Sequence, residues 1–125
     1  SMADGQSRGS HVLLDYRNYS SHGENDGHWM LNLMRESVME CGVREVHSHV
    51  EIFDGSISPP GFAAVVLIDE SHVTAHCYSK SGLLAIDVFT CGDHDPEDVA
   101  GLIHERLISD NGSLILERRQ RIDRF

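Results

Sequence analysis

Basic residues are scarce in this 125-residue sequence: 10 Lys and Arg stand against 20 Asp and Glu, for a formal net charge of -10. A surface that neutralises phosphates needs the opposite sign, so nucleic acid is not an expected partner. Long apolar runs are also missing. None approaches the roughly 20 residues of a membrane helix, and no charged-then-apolar leader opens the chain, so the expectation is a soluble cytoplasmic protein without a membrane partner. The three cysteines, Cys41, Cys77 and Cys91, lack Cys-x-x-Cys spacing, which argues against a disulfide framework and against a zinc ribbon. A Gly-x-Ser-x-Gly elbow and a glycine-rich phosphate loop are absent as well, removing the common serine-hydrolase and nucleotide-binding signatures. No internal repeat is visible.

What is present divides into short periodic segments. Residues 1–10 are polar, glycine-bearing and without periodicity, and read as a flexible tag or leader; residues 11–125 suffice for a single domain with one core. His11 to Tyr16 reads as a strand. Trp29, Met30, Leu33, Met34, Val38 and Cys41 recur at three and four, placing them on one face of a helix that Asn25 or Asp26 can cap and Gly42 can end. Val43 to Phe53, Phe62 to Ile68, Val73 to Tyr78 and Leu83 to Phe89 read as strands, the last two joined by the turn Ser79-Lys80-Ser81-Gly82. Asp95 and Pro96 open a second helix, Leu114 to Leu116 forms a last strand, and the arginine-rich tail beyond is expected in solvent. Tight connections between the central strands favour antiparallel pairing. The expected fold is α+β: a two-layer sandwich of an antiparallel sheet with two helices on one face, its other face needing the cover that a second copy supplies.

Chemistry-bearing residues gather in the middle of the chain. Glu70-Ser71-His72 is a charged and polar triplet between apolar strands, which is either a turn or a site facing a cavity. His72 and His76 lie four apart on a strand and so share a face, yet further ligands at usual spacing are missing and no metal site is expected. Cys91 sits at a strand end before Gly92, where loops place reactive groups, although a small buried hydrophobe reads the same way. Ser71, His76 and Cys91 supply a nucleophile, a proton-transfer group and a thiol on adjacent elements, enough for acyl chemistry without fixing the reaction.

The strings Glu70-Ser71-His72-Val73-Thr74-Ala75-His76 and Ala85-Ile86-Asp87-Val88-Phe89-Thr90-Cys91-Gly92 resemble, in residues and in gap, the bacterial and archaeal S-adenosylmethionine decarboxylase proenzymes. Pro60-Gly61, His11 and the helix after Gly92 fall where that family has them. The resemblance implies self-cleavage: the Ser71 hydroxyl attacks the Glu70 carbonyl, the amide becomes an ester, and elimination leaves residue 71 as a pyruvoyl cap. This self-made cofactor would then bind the amine of the substrate and hold the electrons left by departing carbon dioxide. In the same resemblance His76 serves proton transfer during processing, Cys91 returns a proton to the substrate carbon, and the protein is a homodimer acting on S-adenosylmethionine for polyamine synthesis.

Three positions depart from that pattern. Where the family continues Thr-Trp-Pro-Glu after the second histidine, this sequence has Cys77-Tyr78-Ser79-Lys80, so an ammonium stands in place of a carboxylate on the substrate side. Ala63-Ala64 replaces a Ser-Gly pair, and Ile57 stands where an aromatic residue is usual. Ile57, Tyr78 and Lys80 are thus the candidate substrate-binding residues, beside Ser71, His76 and Cys91 as catalytic ones and Glu70-Ser71 as the cleavage site. Decarboxylation of another amine-bearing acid, such as arginine or ornithine, and an uncut non-catalytic subunit are the competing readings.

Overall fold

The computed structural model describes residues 8–125. Its elements run β1 (Gly9–Arg17), α1 (Asp26–Glu40), β2 (Glu45–Phe53), β3 (Gly61–Ile68), β4 (Ser71–Tyr78), β5 (Leu83–Cys91), α2 (Pro96–Asp110) and β6 (Ile115–Arg124), with one 3-10 turn before α1. The six strands form one antiparallel sheet in the order β2-β3-β4-β5-β1-β6. The α+β expectation holds.

Alternation along the strands separates two faces. Val12, Val88, Val73 and Val66 stand in one row across four strands, with Leu14, Ile86, Ala75 and Ala64 in the next and Tyr16, Leu84, Cys77 and Phe62 in the third. All twelve are buried, and both helices lie over them. Helix α1 packs Met30, Leu33, Met34 and Val38 onto β2 and β3; α2 packs Val99, Ile103 and Leu107 onto β5 and β1. The helices are tied together by Arg106, which donates to Ser37 Oγ at 2.9 Å and pairs with Glu40. The opposite face carries the alternate residues, and among the described residues no helix or strand covers it. No helix among the described residues is long and apolar enough to cross a membrane.

Three local expectations need adjustment. Asn25 occupies the position before α1 but makes no capping hydrogen bond; the Asp26 carboxylate instead accepts from the His22 N–H at 3.0 Å and from the Tyr19 hydroxyl at 2.7 Å, pinning the preceding loop. Asp95 caps α2 as expected, accepting from the Glu97 N–H at 3.0 Å. The tail beyond Leu116 continues as β6 along β1, its side chains mostly exposed. An edge strand buries little, so it carries no apolar alternation to read, and Arg119 and Arg121 are held by Glu97 and Asp95 of α2. Strand β1 also takes in Gly9 and Ser10 from the stretch assigned to the leader; residues 1–7 of that stretch lie outside the described residues.

Candidate active site

Strands β3 and β4 form a hairpin whose loop is only Asp69 and Glu70, with Ile68 paired to Ser71. Asp69 adopts φ 52°, a left-handed conformation that costs a non-glycine residue energy, and its carboxylate is bound by Arg44 at 2.6 Å. The Glu70–Ser71 bond therefore sits one residue past a strained position, at the point where the chain re-enters the sheet. Ser71 itself is buried on the helix-covered face, and its Oγ accepts the backbone N–H of Cys91 at 3.1 Å. That contact fixes the hydroxyl oxygen while leaving its own proton free to be removed.

Cys91 lies on the open face at the end of β5, opposite Gly9 of β1. The missing side chain matters here: a Cβ on Gly9 would come within 2.9 Å of the Phe89 ring and 3.3 Å of Cys91 Sγ. Next to this pair is a row of His11, Phe89, His72 and Leu67, and then a row of Leu13, Asp87, Thr74 and Val65. His11 Nε2 is 2.9 Å from Asp87 Oδ1, and the Thr74 hydroxyl donates to Asp87 Oδ2 at 3.5 Å. Burial, and then the neighbouring His11, hold the His72 imidazole below the usual histidine pKa. The other thiols are poor reagents: burial, followed by the Asp26 charge, pushes Cys77 up to about 12, and burial also raises Cys41.

His76 occupies a different place. It is exposed, on the open face in the row of Asp15, Ala85 and Ala63, whereas Ser71 points to the helix side. Five residue steps along β4 separate the two, roughly 16 Å of strand, so within one chain the pair expected to exchange a proton is not brought together. His72 and His76 share a face but stand roughly 13 Å apart, too far to ligate one ion.

Around His76 the chain forms a hollow of about 330 Å³ lined by Phe53, Pro59, Ala63 and Tyr78. A second hollow of about 320 Å³, sharing Pro59 and Tyr78, adds Pro60, Lys80 and Leu83. Their shared rim is fixed by Ser79, whose N–H and hydroxyl both donate to the Pro60 carbonyl, at 3.0 and 2.9 Å. Gly61 permits this approach, since a Cβ there would stand 1.9 Å from the Cys77 carbonyl oxygen. Of the candidate substrate residues, Tyr78 and Lys80 line this end, and Ile57 is 98% exposed on the adjoining loop. Gly9 was missed by reading the sequence because it falls in a stretch with no periodicity, and its signal is purely spatial.

Comparison with known proteins gives the family and the fold. The sequence model of the S-adenosylmethionine decarboxylase family matches residues 10–120. A protein of Clostridium tetani named S-adenosylmethionine decarboxylase proenzyme is 36% identical over 106 residues, covering 82% of this chain and 79% of the relative. One of the same name from Caldanaerobacter subterraneus is 35% identical over 106 residues, covering 82% and 81%. The crystal structure of the adenosylmethionine decarboxylase from Aquifex aeolicus superposes with a TM-score of 0.70 at 23% identity, covering 95% of this chain and 92% of the other, a likeness of fold. The chain with Ser71 and Cys91 joined at one sheet end belongs to the S-adenosylmethionine decarboxylase family, a family of decarboxylases.

Proposed function

We propose that this chain is a proenzyme that cuts itself between Glu70 and Ser71, keeps the new terminus as a pyruvoyl group, and decarboxylates S-adenosylmethionine for polyamine synthesis. The observation that carries the reading is the 3.1 Å hydrogen bond from the Cys91 N–H to Ser71 Oγ directly after the left-handed Asp69. It ties the nucleophile, two residues past the strained Asp69, to the backbone of Cys91, whose thiol lies on the other face of the same sheet end. These residues fit a pyruvoyl group: the position is buried, the oxygen has a backbone donor, and Gly9 clears the space before Cys91 Sγ. Such a group would supply a carbonyl that holds the substrate amine and accepts the electron pair released with carbon dioxide. Cys91 then delivers its proton from Sγ to the substrate carbon.

His76 serves this site from a second copy of the chain. Within one chain it stands roughly 16 Å along β4 from Ser71 and faces the open side of the sheet. Two copies packed face to face in opposite directions bring the His76 end of one sheet over the His72 and Cys91 row that flanks the Glu70–Ser71 bond in the other. The hollows at Tyr78 and Lys80 then take the remainder of the substrate. Face-to-face packing also covers Leu13, Val65, Leu67 and Phe89, which one chain leaves partly or fully exposed.

Two measurements test the reading. The intact mass of purified protein should show two fragments, residues 1–70 and a pyruvoyl-capped piece to Phe125; a persistent single chain would sink the proposal. Co-expression of Ser71→Ala with His76→Ala chains should yield cutting of the His76→Ala chain alone, because only its Ser71 meets an intact His76 from the other copy. No cutting in the mixed pair, with cutting in the unaltered protein, would place His76 and Ser71 in the same chain.

A further inference from the structure

His72 follows the bond to be cut, yet neither ring nitrogen makes a hydrogen bond or ion pair among the described residues. Its ring is nevertheless held. It stands edge-on to His11 at 89° with 6.3 Å between centroids, and tilted against Phe89 at 5.6 Å. His11 is anchored in turn by Asp87, which also accepts from Thr74. Partial burial disfavours the charged form of this imidazole, and the Asp87 carboxylate offsets part of that cost without bonding to it. The pairing register supplies a reason for this placement. His72 stands opposite Phe89, and Cys91 is two residues farther on the same face of β5. The two are therefore diagonal neighbours, with Cβ atoms roughly 5–8 Å apart. The β4–β5 ladder, paired from His72 to Tyr78, holds the two strands in this relation.

We propose that His72 is the proton partner of the Cys91 thiol, a positioning residue that restores the thiol after each proton delivery. The inference rests on the function proposed above. Cys91 breaks its S–H bond to place a proton on the substrate carbon and is left as thiolate, whose charge draws a solvent proton onto the His72 ring; the ring passes that proton to Sγ and returns to neutral. One solvent proton thus replaces each carbon dioxide lost. The charged and titratable groups facing His72 are His11 from β1, Asp87 from β5 and Arg124 from β6, while β3 presents Leu67. Burial and His11 favour the neutral ring, and Asp87 opposes them.

The test needs no cofactor. In uncut Ser71→Ala protein, alkylation of each cysteine by iodoacetamide is followed by peptide mass between about pH 5 and pH 10. Adding His72→Asn, or His72→Gln should the first variant melt early, is expected to slow Cys91 alkylation at neutral pH by about threefold or more and to raise its midpoint. Free imidazole should bring the rate back, with Cys41 and Cys77 unmoved. An unchanged Cys91 profile overturns the proposal, and so does an equal change at all three cysteines, which marks general loosening. Whether the unaltered chain cuts itself is read separately from its mass, so failure of the pyruvoyl reading and failure of this one are distinct results.

Discussion

The two ends of the sheet are built from unlike chemistry. At the Ser71 end, polar groups are bound to one another: Ser71 to the Cys91 N–H, His11 to Asp87, Asp87 to Thr74, with aromatic rings closing the row. At the His76 end the neighbours are Ala63 and Ala85, the histidine is exposed, and two hollows open beside it. The first end is preorganised for chemistry on its own backbone; the second is vacant until something fills it. The thiol and its bound neighbours at one end of the open face, and the hollows beside His76 at the other, are what two antiparallel copies can unite.

The largest break in this comparison removes the nucleophile. Ser71→Ala should abolish cutting entirely, leaving one mass for the whole chain, while the melting temperature stays near that of the parent because only one hydroxyl and its 3.1 Å contact are lost. A variant that still splits would mean a different bond is cut. Next in size is Gly61→Ala at the other end. Its Cβ would sit 1.9 Å from a backbone oxygen of Cys77, and φ 153° is itself unfavourable for alanine, so β3 and β4 must part at the rim of the hollows. A loss of about 3 kcal/mol or more is expected by urea unfolding; a variant as stable as the parent would show that this rim is not rigid.

Gly9→Ala perturbs the Ser71 end more mildly. The clashing atoms at 2.9 and 3.3 Å belong to the Phe89 ring and Cys91 Sγ, side chains that can rotate away where a carbonyl cannot. The expected cost is about 1–2 kcal/mol, with slowed cutting because displaced Phe89 presses on the neighbouring row. Equal losses from Gly9→Ala and Gly61→Ala would erase the distinction between a yielding and a rigid end.

Much of this architecture was legible in the sequence because burial imposes a period. The alternation in β3, β4 and β5 and the spacing of Met30, Leu33, Met34 and Val38 follow from one covered sheet face. Strand β6 was read short because an edge strand of arginines buries nothing that could leave a pattern. Ser71, His76 and Cys91 stood out through resemblance, but their relation did not. That Ser71 and His76 point to opposite faces follows from their odd separation, whereas the bond from Cys91 N–H to Ser71 Oγ and the vacancy before Gly9 depend on register between strands distant in sequence.

The smallest expected effect concerns pH. His72 has a folded-state pKa below its unfolded value, through burial first and His11 second. The unfolded chain therefore binds the proton more readily, so the contribution of this residue to stability is intact above the ordinary histidine pKa of about 6.5 and is lost as pH falls below it. His72→Asn removes this one dependence and should narrow the gap between urea midpoints measured at about pH 7.5 and about pH 5.5. A gap as wide in His72→Asn as in the parent would show that burial at this position does not oppose its charge, and the contrast between a closed end and the end where His76 is exposed would fail.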